Sequence, residues 1–426
     1  MSPEEKLDFF RRVTCAHNVY SPPFTFGRKV ESSGRDEVRE RWRLACDRSD
    51  LRGTTSLYLH VPFCKSRRCS FCMYGSSTDC SPSRLDRYRE KIVRELEEWR
   101  VELPSTVQNL YVGGGTPSVY SPQGLYELLH PFSIFSYAAD GERTCEMSPS
   151  TATLEHIDAV ADVGINRLSM GVQSFDETVL AAVSRQSVAM DHIAALCRYA
   201  REKRFVDVNL DLMLGLPKIT AENLRESVRK VADCGALSSS VYYWRQTPVA
   251  RDRLACEFEI VRDEMSRLGW TLESGSADSE HHQFCSPERR RGTTRLVTNA
   301  NCVDNHRVIG IGTYANGFRS GFSYSNVGAA RINYWQMNAD LQIRMAMSIF
   351  LYFGNGHLAS RAFRRVFGLD AKDYFKNEFA ALRELCALEE TDEGVTLVGE
   401  SAIDRISLQK FFWDWDYLKR EYGGGR

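Results

Sequence analysis

Three cysteines, Cys64, Cys69 and Cys72, stand together in the segment LYLHVPFCKSRRCSFCMY, directly after an apolar run that suits a buried strand. Thiolates on one short loop at a strand end can converge on an iron–sulfur cluster. Three ligands rather than four leave one iron with an open position for a substrate or cofactor. Lys65, Arg67 and Arg68 add positive charge that lowers thiolate pKa values. Two other readings of the spacing stand beside this one. A zinc site would need a fourth ligand, which Cys80 or His60 could supply. The thiols could also be unconnected. The chain holds 13 cysteines, an odd number in a long sequence, which argues against a disulfide scaffold. Most of the others are expected as small buried hydrophobes.

The elements that must position such a loop alternate. Six short apolar runs, Ser56–Val61, Gln108–Val112, Arg143–Met147, Arg167–Val172, Val206–Leu214 and Ser239–Tyr243, read as buried strands. Helices are expected between most of them. The clearest spans about Pro82 to Arg100, with Ser81 as N-cap, Pro82 in the first turn and an apolar stripe through Leu85, Tyr88, Ile92, Leu96 and Trp99. Others fit Thr151–Val163, stopped by Gly164, and 188–203, 220–234 and 249–268. This α/β alternation implies parallel βαβ units, arranged as an open doubly wound sheet or an incomplete barrel. In either, chemistry belongs at the carboxyl ends of the strands. Residues 1–54 read as an N-terminal arm, 55–325 as the α/β domain, and 326–426 as a smaller, mainly helical domain with a weak strand signal near Gly394–Val398.

The bulk numbers fit this reading. Of 426 residues, 43% are hydrophobic and 26% charged, and the net charge is −1, so no global field favours nucleic acid or an anionic membrane. The longest apolar stretch, Met345 to Phe353, is too short for a membrane span, and MSPEEKLDFF lacks the apolar core of a signal peptide. A cytoplasmic location and a monomer are expected.

The cysteine segment resembles the oxygen-independent coproporphyrinogen III oxidase-like family of radical S-adenosylmethionine (SAM) proteins, whose hallmark reads roughly Y-I-H-I-P-F-C-x₃-C-x-Y-C. Here it stands as Tyr58 to Cys64, then Cys69, then Phe71-Cys72. YVGGGTPS at 111–118, Glu146-Met147-Ser148-Pro149, GINRLSMGVQSFD at 164–176, DLMLGLP at 211–217 and GIGTYANGF at 310–318 follow in the family's order. The resemblance implies a partial (β/α)6 TIM-type barrel with a smaller C-terminal domain, a [4Fe-4S] cluster on Cys64, Cys69 and Cys72, and SAM at the open iron. It implies that a one-electron reductant such as flavodoxin or ferredoxin feeds the cluster, that SAM is cleaved reductively, and that a 5′-deoxyadenosyl radical attacks a small-molecule substrate.

By the same resemblance, Gly113, Gly114, Gly115 and Thr116 approach the amino-acid part of SAM, and Glu146 accepts from its ribose or ammonium. Gln173, Arg185 and Asp211 map onto further polar SAM contacts, Arg185 towards the carboxylate. Tyr58, a catalytic candidate with Tyr242 and Trp244, flanks the cluster, and Phe71 is a cofactor-binding candidate. Tyr242 and Trp244 alternate on one face of the sixth strand, so both can point into the barrel against a substrate or a second SAM. Arg245 could crowd that position.

The sequence also departs from the family. The first cysteine spacing is one residue longer, Gln186-Ser187 follow Arg185 where a His is usual, and RLVTNANCVDN at 295–305 replaces a C-x-H-N-x-x-Y-W-like block found in haem-metabolising members. The expected activity is therefore radical chemistry in specialised metabolism, by C-methylation, cyclisation or a sulfur-involving step. Porphyrin modification or non-enzymatic haem carriage is the alternative. Arg289-Arg290-Arg291 read as a solvated loop, the WDWDY tail as packing against the C-terminal helices, and Cys256, Cys285 and Cys302 as too dispersed for an auxiliary cluster.

Overall fold

The computed structural model describes residues 1–17, 28–32, 34–46, 54–65, 68–244, 251–274, 281–289, 307–319, 322–327, 331–353, 356–399 and 407–422. It divides into two compact units.

The first unit spans 56–296 with 310–315. Its strands are β1 (Thr55–Val61), β2 (Leu110–Gly114), β3 (Arg143–Met147), β4 (Arg167–Gln173), β5 (Asp207–Leu214) and β6 (Ser238–Tyr243), then β7 (Thr271–Ser274) and β8 (His281–Cys285). β1 to β6 pair in parallel, each with the next in sequence. That order decides between the two α/β architectures. A doubly wound sheet reverses its strand order at a switch point, whereas a barrel wall keeps sequential order. β8 then runs antiparallel to β6, and β7 antiparallel to β8, so the parallel wall stops at six strands.

The connecting helices are α1 (Pro82–Trp99), α2 (Pro122–Leu129), α3 (Leu154–Asp162), α4 (Glu177–Ala182), α5 (Met190–Glu202), α6 (Ala221–Asp233) and α7 (Arg251–Arg267). α1 buries Tyr88, Ile92, Leu96 and Trp99, the stripe read from its spacing. Ser81 does sit at its N-cap, but its hydroxyl makes no cap bond; the side chain of Asp79 instead accepts from the Ser81 N–H at 3.1 Å. Beyond α3, Gly164 takes φ +84°, the left-handed stop expected there.

The second unit holds 1–55, 297–309 and 316–426. Arg28–Ser32 pairs with Arg331–Gln336, which pairs with Phe322–Val327, which pairs with Asn316–Arg319, all antiparallel. Trp42, on the helix Arg35–Cys46, packs against Phe322 and Tyr324 of this ribbon. A separate core joins Leu7, Phe10 and Val13 of the N-terminal helix to the helices of 339–384 and the tail. Phe411, Phe412 and Trp413 are buried in it, with the Phe10 and Phe411 rings 5.0 Å apart, so the aromatic tail packs in this core. Gly394–Leu397 is the centre of a small three-stranded antiparallel sheet. Among the described residues, no helix is long and apolar enough to cross a membrane.

Candidate active site

Successive side chains of a strand face opposite ways, so apolar residues on one face leave the alternate positions for the other. Leu57, Leu59, Val112, Cys145, Leu168, Met170, Leu210 and Leu212 are buried in the core. The alternate positions carry Tyr58, Tyr111, Glu146, Asp211 and Tyr242, which therefore share one face. Register sets Tyr58 opposite Tyr111, and Asp211 opposite Ser240.

The hydroxyl of Tyr111 donates to Glu146 Oε1 at 2.5 Å, and the Gly114 N–H donates to Oε2 at 3.3 Å. Burial nevertheless holds the Glu146 carboxyl above its ordinary pKa. Asp211 accepts from Asn209 Nδ2 at 2.6 Å and Ser169 Oγ at 3.4 Å. Burial first, and the charge of Glu146 second, push Asp211 up to about 7. Two carboxyls that each resist ionisation suit a site whose charge is completed by a cationic ligand.

The cysteine loop leaves the carboxyl end of β1. Phe63 bridges to Ser77, the Cys64 N–H donates to the Ser77 carbonyl at 2.9 Å, and the Ser77 N–H to the Pro62 carbonyl at 2.8 Å, which closes the loop. Cys64, Cys69 and Cys72 are all free thiols of intermediate exposure. Burial raises the Cys72 thiol, and the charges of Cys64 and Cys69 push the same way, so the three sulfurs feel one another. Thr116 Oγ1 donates to Cys64 Sγ at 3.6 Å and Arg185 Nη1 to Cys69 Sγ at 3.8 Å. Hydrogen bonds to the sulfurs are what stabilise thiolate ligands of a cluster. Among the described residues, no group of three His, Cys, Asp or Glu side chains is already set to hold a metal ion. Phe71 lies half-buried between Cys69 and Cys72.

The glycine run has more than one reason. A Cβ on Gly113 would come within 2.5 Å of Glu146 Oε2, and one on Gly114, at φ +104°, within 2.5 Å of the His60 ring. On Gly115 it would meet the Phe63 carbonyl at 2.4 Å and that of Val61 at 2.7 Å. The run thus admits protein neighbours at these points, and it ties β2 to the start of the cysteine loop through Gly115 N–H to Val61 and Thr116 N–H to Phe63. Gly115→Ala is expected to cost about 1–3 kcal/mol, because only backbone can give way. Thermal denaturation and bound iron after reconstitution should both fall. Gly34→Ala, with nothing within 4 Å of the added carbon, is the control.

Gln173 ends β4 at φ +74°, beside a register shift in the β4–β5 pairing. Its Oε1 is buried without a hydrogen-bond partner. A strained non-glycine residue with an orphaned acceptor marks a place for a donor from a bound molecule. Arg185 donates to the Gly171 carbonyl as well as to Cys69, so it ties β4 to the cysteine loop. A cleft at this end is lined by Ser148, Pro149, Gly171, Phe175, Arg185 and Gln186.

Tyr242 and Trp244 lie two positions apart, on β6 and just beyond it, both partly exposed, with Tyr243 between them buried. Tyr242 stacks on His281 of β8 at 4.6 Å, a neighbour the sequence reading missed because β8 carries no clear alternation. The Trp244 indole N–H is buried without an acceptor. Arg245 and 295–305 fall outside the described residues.

At the amino end of the strands the same face holds a buried ionic network. Arg167 pairs with Asp207 at 3.0 Å and Glu142 at 3.7 Å, and Arg289 with Glu273 at 2.9 Å, Glu142 at 3.4 Å and Asp207 at 3.5 Å. Arg289 is therefore no solvated loop residue; it is 8% exposed. Opposite charges in such contact offset part of one another's cost of burial.

Residues 58–231 match the model of the Radical SAM superfamily. These residues carry a Radical SAM domain, and the cofactors of that superfamily are a [4Fe-4S] cluster and SAM. The thiol set, the orphaned Gln173 oxygen and the paired carboxyls fit both. The chain is similar to oxygen-independent coproporphyrinogen III oxidases and to a heme chaperone. It is 33% identical over 196 residues to the oxygen-independent coproporphyrinogen III oxidase of Escherichia coli K12, covering 45% of this chain and 42% of that one. It is 25% identical to the heme chaperone HemW of Lactococcus lactis, covering 84% of this chain and 98% of that one. The chain thus spans about half the length of the curated oxidases it matches. The solved structure of the E. coli coproporphyrinogen III oxidase superposes with a TM-score of 0.71 at 22% identity, over 88% of this chain and 93% of that one, which shows a shared fold.

Proposed function

We propose that this protein cleaves SAM reductively and directs the resulting radical chemistry at a tetrapyrrole. The reading rests on one observation: three thiols, Glu146, Asp211 and the unpartnered Gln173 oxygen belong to the carboxyl ends of one parallel wall. The cluster supplies the electron when reduced, by a one-electron donor of the flavodoxin or ferredoxin class. Glu146 and Asp211 hold the cationic and hydroxyl groups of SAM, Gln173 adds an acceptor, and Arg185 keeps Cys69 in place. The substrate class follows the relatives, which are named for coproporphyrinogen oxidation or haem handling. Those names favour the porphyrin alternative over the expected role in specialised metabolism.

Glu146→Ala is expected to keep the cluster and to weaken SAM by about 1–3 kcal/mol, read by equilibrium dialysis. Coproporphyrinogen III, added anaerobically, should raise 5′-deoxyadenosine output from wild-type protein. No stimulation by any tetrapyrrole would defeat the substrate reading. A second SAM against Tyr242 and Trp244 that donates its methyl group to the substrate would release S-adenosylhomocysteine together with 5′-deoxyadenosine.

Haem carriage without turnover is the second reading, favoured by the near-complete coverage of the Lactococcus chaperone. Tight haem binding by absorbance, with no substrate-stimulated SAM cleavage, would select it.

A further inference from the structure

We propose that Tyr74 and Tyr314 form an aromatic clamp beside the cysteine loop that holds the face of one planar aromatic ring of the substrate, such as a single pyrrole. This rests on the substrate reading above and adds the residues that would grip the ring. Large apolar side chains in a folded domain are mostly covered, yet Met73 is 50% exposed, Tyr74 60% and Tyr314 43%. They are not scattered. Tyr74 lies 6.5 Å from the His60 ring, tilted 51°, and Tyr314 lies 6.1 Å from the same ring, at 77°. Both exposed phenols therefore lie beside one buried imidazole.

That imidazole is fixed. His60 Nε2 faces the Gly75 carbonyl at 3.0 Å, an acceptor only, so Nε2 carries the proton. Nδ1 then accepts from the Tyr58 hydroxyl at 2.8 Å. Burial lowers the His60 pKa, which keeps the ring neutral. A chain of contacts thus runs from Tyr58, on the face with Glu146 and Asp211, through His60 to the two exposed rings.

Tyr314 adopts φ +70°, which a bulky residue takes up only where its surroundings compel it. Its ring lies over Gly75, where an added Cβ would fall 2.6 Å from it. A glycine in the loop and a strained tyrosine facing it are matched to hold one ring in one place.

The occupant is substrate rather than a protein partner, because Met73 and Tyr74 directly follow Cys72. A radical made at the cluster must act within contact distance, so the reacting molecule has to lie against residues of this loop. Exposed aromatic faces suit a planar aromatic ring.

The test uses the reconstituted full-length protein and two planar probes, coproporphyrin III and riboflavin, titrated anaerobically by fluorescence. Tyr74→Ala and Tyr314→Ala should each weaken both probes by about tenfold or more, while Tyr→Phe at either position retains binding. Tyr314→Gly should weaken the probes equally while raising or maintaining the melting temperature, since it relieves the backbone. A merely structural tyrosine would not show that split. Unchanged affinity in both alanine variants, or no binding of either probe by wild-type protein, overturns the clamp. Riboflavin binding that depends on both tyrosines, without coproporphyrin binding, keeps the clamp and removes the tetrapyrrole reading. Slower cluster reduction by flavodoxin with unaltered probe binding overturns the clamp and gives the surface to the electron donor.

Discussion

Cys64→Ala, Cys69→Ala and Cys72→Ala should each yield a folded protein that binds almost no iron after anaerobic reconstitution and forms no 5′-deoxyadenosine from SAM. Wild-type protein should hold about four irons. The expectation is all-or-none because the three thiols share the loop at the end of β1, with hydrogen bonds aimed at sulfur from Thr116 to Cys64 and from Arg185 to Cys69. Cys80 is the nearest replacement, but its thiol is turned to the Cys64 carbonyl at 3.5 Å. Cys80→Ala should therefore lose one weak contact and keep the chromophore. A full cluster in the Cys69→Ala protein, measured by iron content and absorbance, would sink the assignment.

Asp211→Asn should change how stability depends on pH. The carboxyl titrates near 3.8 when unfolded and about 7 when folded. Between those values the native state binds the extra proton, so wild-type stability falls as pH rises from about 4 through 7. With about 1.4 kcal/mol per unit, Asp211 alone removes of order 2–4 kcal/mol across that window. An amide keeps the shape and carries no charge to desolvate. The SAM-free variant should therefore be more stable than wild type at pH 8 and nearly equal to it at pH 4, in denaturant titrations at both values. SAM affinity should fall in the same variant, since the lost charge is the one a cationic ligand would compensate. Equal stability of the two proteins at pH 8 would show that Asp211 is hydrated in the native state.

These two expectations draw on different sources. The cysteine spacing and the six apolar runs were readable in order, because a strand buried on both sides writes itself as a short apolar run and a helix as a stripe at 3.6-residue spacing. β3 begins and ends at the residues expected, and the other five strands shift by only a residue or two at their ends. Ligands on one loop are likewise local.

Other features depend on partners far along the chain. Arg289 reads as part of a solvated basic run, and only its approach to Glu142 and Asp207 makes it buried. Gly115 reads as room for a ligand, and only the Phe63 and Val61 carbonyls show what it must admit. Tyr314 is unremarkable until Gly75, 239 positions earlier, comes beneath it. Likewise β7 and β8, short and polar, have no period of their own and exist because β6 offers them an open edge.

By itself, then, the sequence determined the parallel α/β wall and the placing of three cysteines on one loop after its first strand, because each is set by spacing within a few residues. Only the tertiary structure decided barrel order over a doubly wound sheet, the proton held by Asp211 and the pairing of the inner charges. Those depend on which distant groups share a low-dielectric space, and no local pattern records that distance.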